Sequence, residues 1–321
     1  MSARDVGLPM VVPADDLPER VTVWEVGARD GLQNEPHTIP AETKVEFIER
    51  MASAGLPVVE ATSFVHPRWV PQLADAAEVM QGITRIDGVR YPVLVPNVRG
   101  LERALDCGAR DIAVFGSATE SFAQANLNRG YDDQWAMFED VVSQARAEGL
   151  RVRGYLSMCF GDPWAGSVDP ARVTDAVRHL ADLGCTEFSL GDTIGVATPG
   201  HVAVVLDSLV AAGIDLSVVG VHFHDTYGQA LSNTLAALRC GVTIVDASAG
   251  GLGGCPYAKS ATGNLATEDL VFMLDGLGIQ TGIDLDRLAA TSAWMATQLG
   301  RPSPSRVVRA LNPDRSDEGM E

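Results

Sequence analysis

Between residues 21 and 300 the chain passes eight times from a short β-branched run into a helical stretch, and this alternation constrains the fold most. Strands are predicted at 21–26, 58–61, 91–95, 111–115, 151–157, 186–190, 217–222 and 243–247. Helices are predicted at 40–54 and near 72–81, 98–107, 133–148, 170–183, 199–212, 228–240 and 266–275, with one more near 284–299. Gly108, Gly149, Gly184, Gly213 and Gly241 stand where a helix must stop before the next strand. Eight strand–helix units in about 250 residues fit a (β/α)8 TIM barrel with an extra C-terminal helix. The rival, a doubly wound open sheet, would carry G-x-G-x-x-G after its first strand, and Gly27-Ala28-Arg29-Asp30-Gly31 is not that pattern. The expected organisation is an N-terminal extension over 1–20, a single barrel domain over 21–300 and a disordered tail over 301–321.

Charge narrows the partners. Lys plus Arg number 24 and Asp plus Glu 42, a net charge of −18, which argues against nucleic acid or an anionic membrane as partner. No apolar run has the length of a membrane helix. The five cysteines are an odd, widely spaced set without a C-x-x-C pair, as expected of reduced thiols in the cytoplasm.

In a barrel, chemistry collects where strands end at the C-terminal face. Arg29 and Asp30 follow the first strand and Glu60 ends the second. Asp192 follows the sixth, His222 and His224 end the seventh, and Cys255 and Asn264 lie beyond the eighth. His222 and His224, two apart on a strand, share a face. With Asp30 and Asn264 they make a mixed nitrogen/oxygen set suited to Mg2+ or Mn2+. Asp192 could equally be a cap or turn residue, and Arg29 could be the structural partner of Glu60. Cys255 sits in Ala249-Gly250-Gly251-Leu252-Gly253-Gly254-Cys255-Pro256-Tyr257, where four glycines in five residues let the backbone approach a ligand. Its thiol is either incidental or a proton donor near neutral pH. The loop's N–H groups could cradle an oxyanion, and Lys259 adds a nearby positive charge. A divalent cation, an arginine, a carboxylate and a loop thiol suit carbon–carbon cleavage through an enolate.

The stretches Glu25-Val26-Gly27-Ala28-Arg29-Asp30-Gly31-Leu32-Gln33-Asn34-Glu35, Ser189-Leu190-Gly191-Asp192-Thr193-Ile194-Gly195, Val221-His222-Phe223-His224-Asp225-Thr226-Tyr227-Gly228-Gln229-Ala230 and 250–270 resemble the 3-hydroxy-3-methylglutaryl-CoA lyase family of barrel metallolyases. The resemblance implies Asp30, His222, His224 and Asn264 as metal ligands, with Arg29, Glu60, Asp192 and Cys255 as catalytic residues. Gln33, Gly253 and Lys259 are the expected substrate-binding residues. It further implies an acyl-CoA substrate cleaved to acetyl-CoA and acetoacetate, a role in leucine degradation, and a homodimer. The segment Met158-Cys159-Phe160-Gly161-Asp162-Pro163-Trp164-Ala165-Gly166 departs from the family's Gly-Cys-Pro-Tyr-Glu-Gly pattern. The alternative is therefore a sibling lyase acting on another branched 3-hydroxyacyl-CoA, such as citramalyl-CoA or an isoprenoid-extended glutaryl-CoA. A non-catalytic metal- or CoA-binding barrel would be expected to lack a reactive residue, and none is missing.

Overall fold

The computed structural model of the protein describes residues 7–254 and 263–312. Cys255 and Lys259 lie outside the described residues. Nine short strands form one wholly parallel sheet: β1 (Thr22–Glu25), β2 (Val58–Val59), β3 (Thr62–Ser63), β4 (Val93–Leu94), β5 (Asp111–Ser117), β6 (Arg151–Ser157), β7 (Glu187–Asp192), β8 (Val219–Phe223) and β9 (Ile244–Ala247). Their order is β2-β1-β9-β8-β7-β6-β5-β4-β3. The two ends of that order, β2 and β3, are halves of one stave interrupted at Glu60–Ala61. Glu60 N donates to Glu25 O on one side (2.8 Å), while Ala61 N and Phe64 N donate to Pro92 O (2.9 Å) and Leu94 O (2.8 Å) on the other. The sheet thereby closes into an eight-stave barrel.

Period-two alternation sorts the side chains. Val23, Val152, Leu156, Phe188, Leu190, Val221, Phe223 and Val245 join the main apolar core beneath the helices. The alternate positions fill the barrel with Trp24, Arg153, Tyr155, Ser189, His222 and Asp246, an unusually polar interior. Gly220 on β8 makes room for it, since a Cβ there would lie 2.5 Å from Arg153 Nη2.

The helices are α1 (Ala41–Ser53), α2 (Ala76–Gly82), α3 (Val98–Asp106), α4 (Glu120–Leu127), α5 (Asp133–Ala147), α6 (Pro170–Leu183), α7 (Pro199–Ala211), α8 (Ala230–Arg239), α9 (Thr267–Gly276), α10 (Leu285–Leu299) and α11 (Arg306–Leu311). Two of these were not anticipated. Helix α4 begins where Thr119 caps Phe122 N and ends at Asn128, whose φ is 53°. Helix α11 falls inside the stretch expected to be a disordered tail, so ordered structure continues to residue 312. Asp269 holds it, accepting from Ser305 Oγ (2.7 Å) and Val307 N (2.9 Å), while Ser305 caps Val308 N. Upstream of the barrel, Val12 N donates to Gly276 O and Gln280 N to Glu19 O, both at 2.9 Å. Among the described residues no helix is long and apolar enough to cross a membrane.

Candidate active site

The chain leaves β1 in a single turn of π-helix, Gly27–Gly31, in which Val26 O accepts from both Asp30 N (2.8 Å) and Gly31 N (3.1 Å). Such wide turns recur at functional sites. Buried Glu25 anchors this one, accepting from Gly27 N (2.7 Å), Ala249 N (2.8 Å) and Thr267 Oγ1 (2.6 Å). The turn thus ties the start of the glycine-rich loop to β1 and brings Arg29 and Asp30 to the rim.

His222 is the penultimate residue of β8 and His224 follows the strand, paired through the backbone with Asn264. Ligand atoms of half-buried Asp30 and His222 and of buried His224 all lie within 4.8 Å of one another. Asn264 Nδ2 donates to Asp30 Oδ2 (2.8 Å) and Leu252 O (2.9 Å), which turns its carbonyl oxygen the other way. That Oδ1 is buried with no hydrogen-bond partner, and so is His224 Nδ1. Buried polar atoms are rarely left alone; these two orphans beside the Asp30–His222–His224 cluster fit a divalent cation.

The charge states of Asp30 and His224 agree with that reading, whereas His222 is drawn toward its protonated form by Asp246. Burial pushes Asp30 up, but Arg29, His222 and His224 outweigh it and hold its carboxyl at about 2. Burial, then His222, lower His224 to about 4, leaving a neutral imidazole with a lone pair. Burial opposes charge on His222 too, but its bond to Asp246 and the charges of Asp246 and Asp30 raise it above the ordinary value. Asp246 is pushed up by burial and held below its ordinary value by Arg153 and His222.

Arg29 bridges the two expected carboxylates, with Nη1 2.7 Å from Asp30 Oδ1 and Nη2 2.9 Å from Glu60 Oε2. Tyr155 OH donates to the same Glu60 oxygen at 2.9 Å. Burial raises Glu60 against these partners. Arg29 Nε and Glu60 Oε1 remain without hydrogen-bond partners.

Asp192 behaves differently. It is fully buried, and its carboxylate accepts from Val196 N (2.9 Å) and Ala197 N (3.0 Å), holding the turn after β7. Burial against those bonds brings it to about 6. The structure uses both of its oxygens in the turn, the other reading that the sequence left open.

A cavity of about 1110 Å³ opens over this rim and is lined by Arg29, Asp30, Gln33, Tyr155, His222, His224 and Gly254 among others. Gln33 is among its lining residues. Gly253 supports it indirectly: its φ is +120°, and a Cβ there would lie 2.5 Å from Asn264 Nδ2. The segment 158–166 does not line the cavity. Asp162 accepts from Trp164 N (2.7 Å) and Ala165 N (2.8 Å) within its own turn and from Thr119 Oγ1 (2.6 Å) and Ser121 Oγ (2.7 Å) at the start of α4, so the segment braces a helix that lines the cavity. Cys159 is buried, with its thiol bonded to Leu156 O and raised by burial.

Sequence reasoning missed Tyr155, Asp246, Arg153 and the cavity-wall residues of α4. A carboxylate inside a strand as buried as 243–247 was a usable signal for Asp246; nothing distinguished Tyr155 from a core aromatic.

A closed parallel barrel bearing a divalent-cation donor set and a fixed guanidinium at its C-terminal rim defines a barrel enzyme. The chain belongs to the HMGL-like family, whose model matches residues 20–295. It is 50% identical over 294 residues to the mitochondrial hydroxymethylglutaryl-CoA lyase of Bos taurus, covering 92% of this chain and 90% of that one. Among solved structures it is similar to hydroxymethylglutaryl-CoA lyase from Pseudomonas aeruginosa, with a TM-score of 0.91 and 44% identity over 93% of this chain and 99% of that one. It is also similar to an HMG-CoA lyase from Acenitobacter baumannii in complex with coenzyme A and 3-methylmalate, with a TM-score of 0.87 and 35% identity over 97% and 99% of the two chains.

Proposed function

We infer that this chain is a carbon–carbon lyase that cleaves 3-hydroxy-3-methylglutaryl-CoA to acetyl-CoA and acetoacetate, in leucine degradation. The observation that carries the reading is the intact donor set with its orphaned Asn264 Oδ1, beside Arg29, in a chain half-identical to lyases of that name. Mg2+ or Mn2+ held by Asp30, His222, His224 and Asn264 would polarise the substrate's hydroxyl and carbonyl oxygens.

The chain's own groups account for the remaining steps. Arg29, fixed by Asp30 and Glu60 and lining the cavity, holds its guanidinium charge toward the oxygen on which enolate charge develops. The C3 hydroxyl gives its proton to solvent in the open cavity, from which the Cys255 thiolate is reprotonated at the end of the cycle, and the C2–C3 bond breaks. C3 becomes the ketone of acetoacetate, and the electron pair passes to the thioester fragment as an enolate. Cys255 then donates a proton to C2, giving acetyl-CoA. Asp192 acts by holding the 195–197 turn, and Gly253 by leaving Asn264 its place. Lys259 and Gln33 are proposed to contact the acyl-CoA.

The 50% identity to a hydroxymethylglutaryl-CoA lyase over 92% of the chain supports hydroxymethylglutaryl-CoA ahead of a sibling substrate. A panel of hydroxymethylglutaryl-CoA, citramalyl-CoA and an isoprenoid-extended glutaryl-CoA, compared by kcat/KM, tests this; preference for either of the last two refutes it. Free thiols at Cys107, Cys159, Cys185 and Cys240 support a reducing compartment, of which the cytoplasm is the one proposed, and the net charge of −18 by itself disfavours nucleic acid as partner. The homodimer is proposed on the family resemblance, and equilibrium sedimentation checks it.

A further inference from the structure

Inside the barrel, below the proposed metal ligands, lies a carboxylate that the reaction itself does not use. Asp246 on β9 is 1% exposed and takes three donors: Arg153 Nη2 on Oδ1 (2.7 Å), Ser189 Oγ on Oδ2 (2.8 Å) and His222 Nδ1 on Oδ2 (3.2 Å). Arg153 is equally buried and cannot swing away. Its guanidinium lies 3.9 Å over the Trp24 ring, its Nε is 3.0 Å from Glu187 Oε1, and its Nη1 is 3.4 Å from Tyr155 OH.

We propose that Asp246, oriented by Arg153, is a positioning residue that fixes His222 as the Nδ1–H tautomer and so leaves its Nε2 lone pair bare for the metal. The inference rests on the metal reading above. A carboxylate only accepts, so the His222 nitrogen facing it must carry the proton. Carboxylate partners of this kind set the tautomer and aim of metal-binding histidines.

The geometry makes a specific statement about Asp246→Asn, a change that preserves shape. A guanidinium only donates, so Arg153 requires an oxygen where Oδ1 now lies. The Asn carbonyl must therefore face Arg153, and its NH2 must face Ser189 and His222. Ser189 does not resist, because a hydroxyl accepts as readily as it donates. His222 then has to present a bare Nδ1, which moves its proton to Nε2. Removing the guanidinium as well, in Asp246→Asn/Arg153→Met, frees the amide to turn its oxygen back toward His222.

The test reads the tautomer directly, by nitrogen-15 NMR of histidine-labelled, metal-free protein at alkaline pH, with His222→Gln to assign the signal. Mn2+ affinity of the same proteins is measured by titration. The wild type should show Nδ1–H. Asp246→Asn should show Nε2–H with Mn2+ affinity lower by about tenfold or more. The double variant should regain Nδ1–H and part of the affinity. A wild type carrying its proton on Nε2, or an Asp246→Asn protein with unchanged tautomer and affinity, overturns the proposal. Should Asp246→Asn fail to fold, the wild-type tautomer alone decides. A wild type that binds no Mn2+ refutes the metal reading instead, and the metal-free tautomer still judges Asp246.

Discussion

Glu268 should make the stability of this protein fall with rising pH, and one substitution should remove its share of that dependence. Its carboxyl is buried at the start of α9 and accepts from Gly250 N (2.9 Å to one oxygen, 3.1 Å to the other) and from Ser292 Oγ. Burial outweighs those bonds and lifts it from 4.5 to about 8, and the nearby Glu25 carboxyl adds to the rise. Between these values the folded chain keeps a proton that the unfolded chain has released. The contribution is therefore fully present below 4.5 and is lost as pH rises toward the folded value. At up to about 1.4 kcal/mol per pH unit, the loss from about pH 6 to about pH 8 comes to about 2 kcal/mol. Glu268→Gln keeps the neutral shape without the titration, so relative to wild type it should gain about 2 kcal/mol across that window. Urea unfolding of both proteins at the two pH values measures it. A wild-type-to-variant difference that does not change with pH refutes the reasoning.

Gly253→Ala should weaken Mn2+ binding, since the new Cβ meets Asn264 Nδ2 at 2.5 Å on a backbone with φ of +120°; unchanged affinity in a metal titration would contradict this. Arg29→Met should lower kcat by about 10²–10³, the usual cost of losing a charge-stabilising donor, and steady-state kinetics would show it. His224→Ala should weaken both metal binding and turnover, whereas Cys255→Ala should lower turnover with metal binding retained. Full turnover by Cys255→Ala would remove the thiol from the proton transfer.

The barrel was legible because strand and helix periods switch cleanly and glycines such as Gly184 and Gly241 punctuate them in left-handed positions. Helix α4 escaped because eight residues between Thr119 and Asn128 carry little periodicity, and only the Thr119 cap marks the start. Helix α11 escaped for a different reason: Asp269, far away in sequence, supplies the bonds that hold it. At the site, Asp30, His222 and His224 could be gathered from the ends of strands, and Asn264 from the loop after the last one. Asp192 could not be separated from a turn residue without knowing which backbone N–H groups its oxygens meet. The departure at 158–166 looked chemical in sequence, yet Asp162 spends its oxygens on its own turn and on the start of α4, partners that no local pattern reveals. Arg153 and Asp246 are legible only across the barrel, where residues 93 apart meet at 2.7 Å.

Release of acetyl-CoA from hydroxymethylglutaryl-CoA by metal-stripped protein, followed with and without added Mg2+ or Mn2+, bears most directly on the lyase reading. Release that is near zero without metal and fast on its return is expected. No release with Mn2+ bound and the fold intact, or equal release with and without metal, would contradict it.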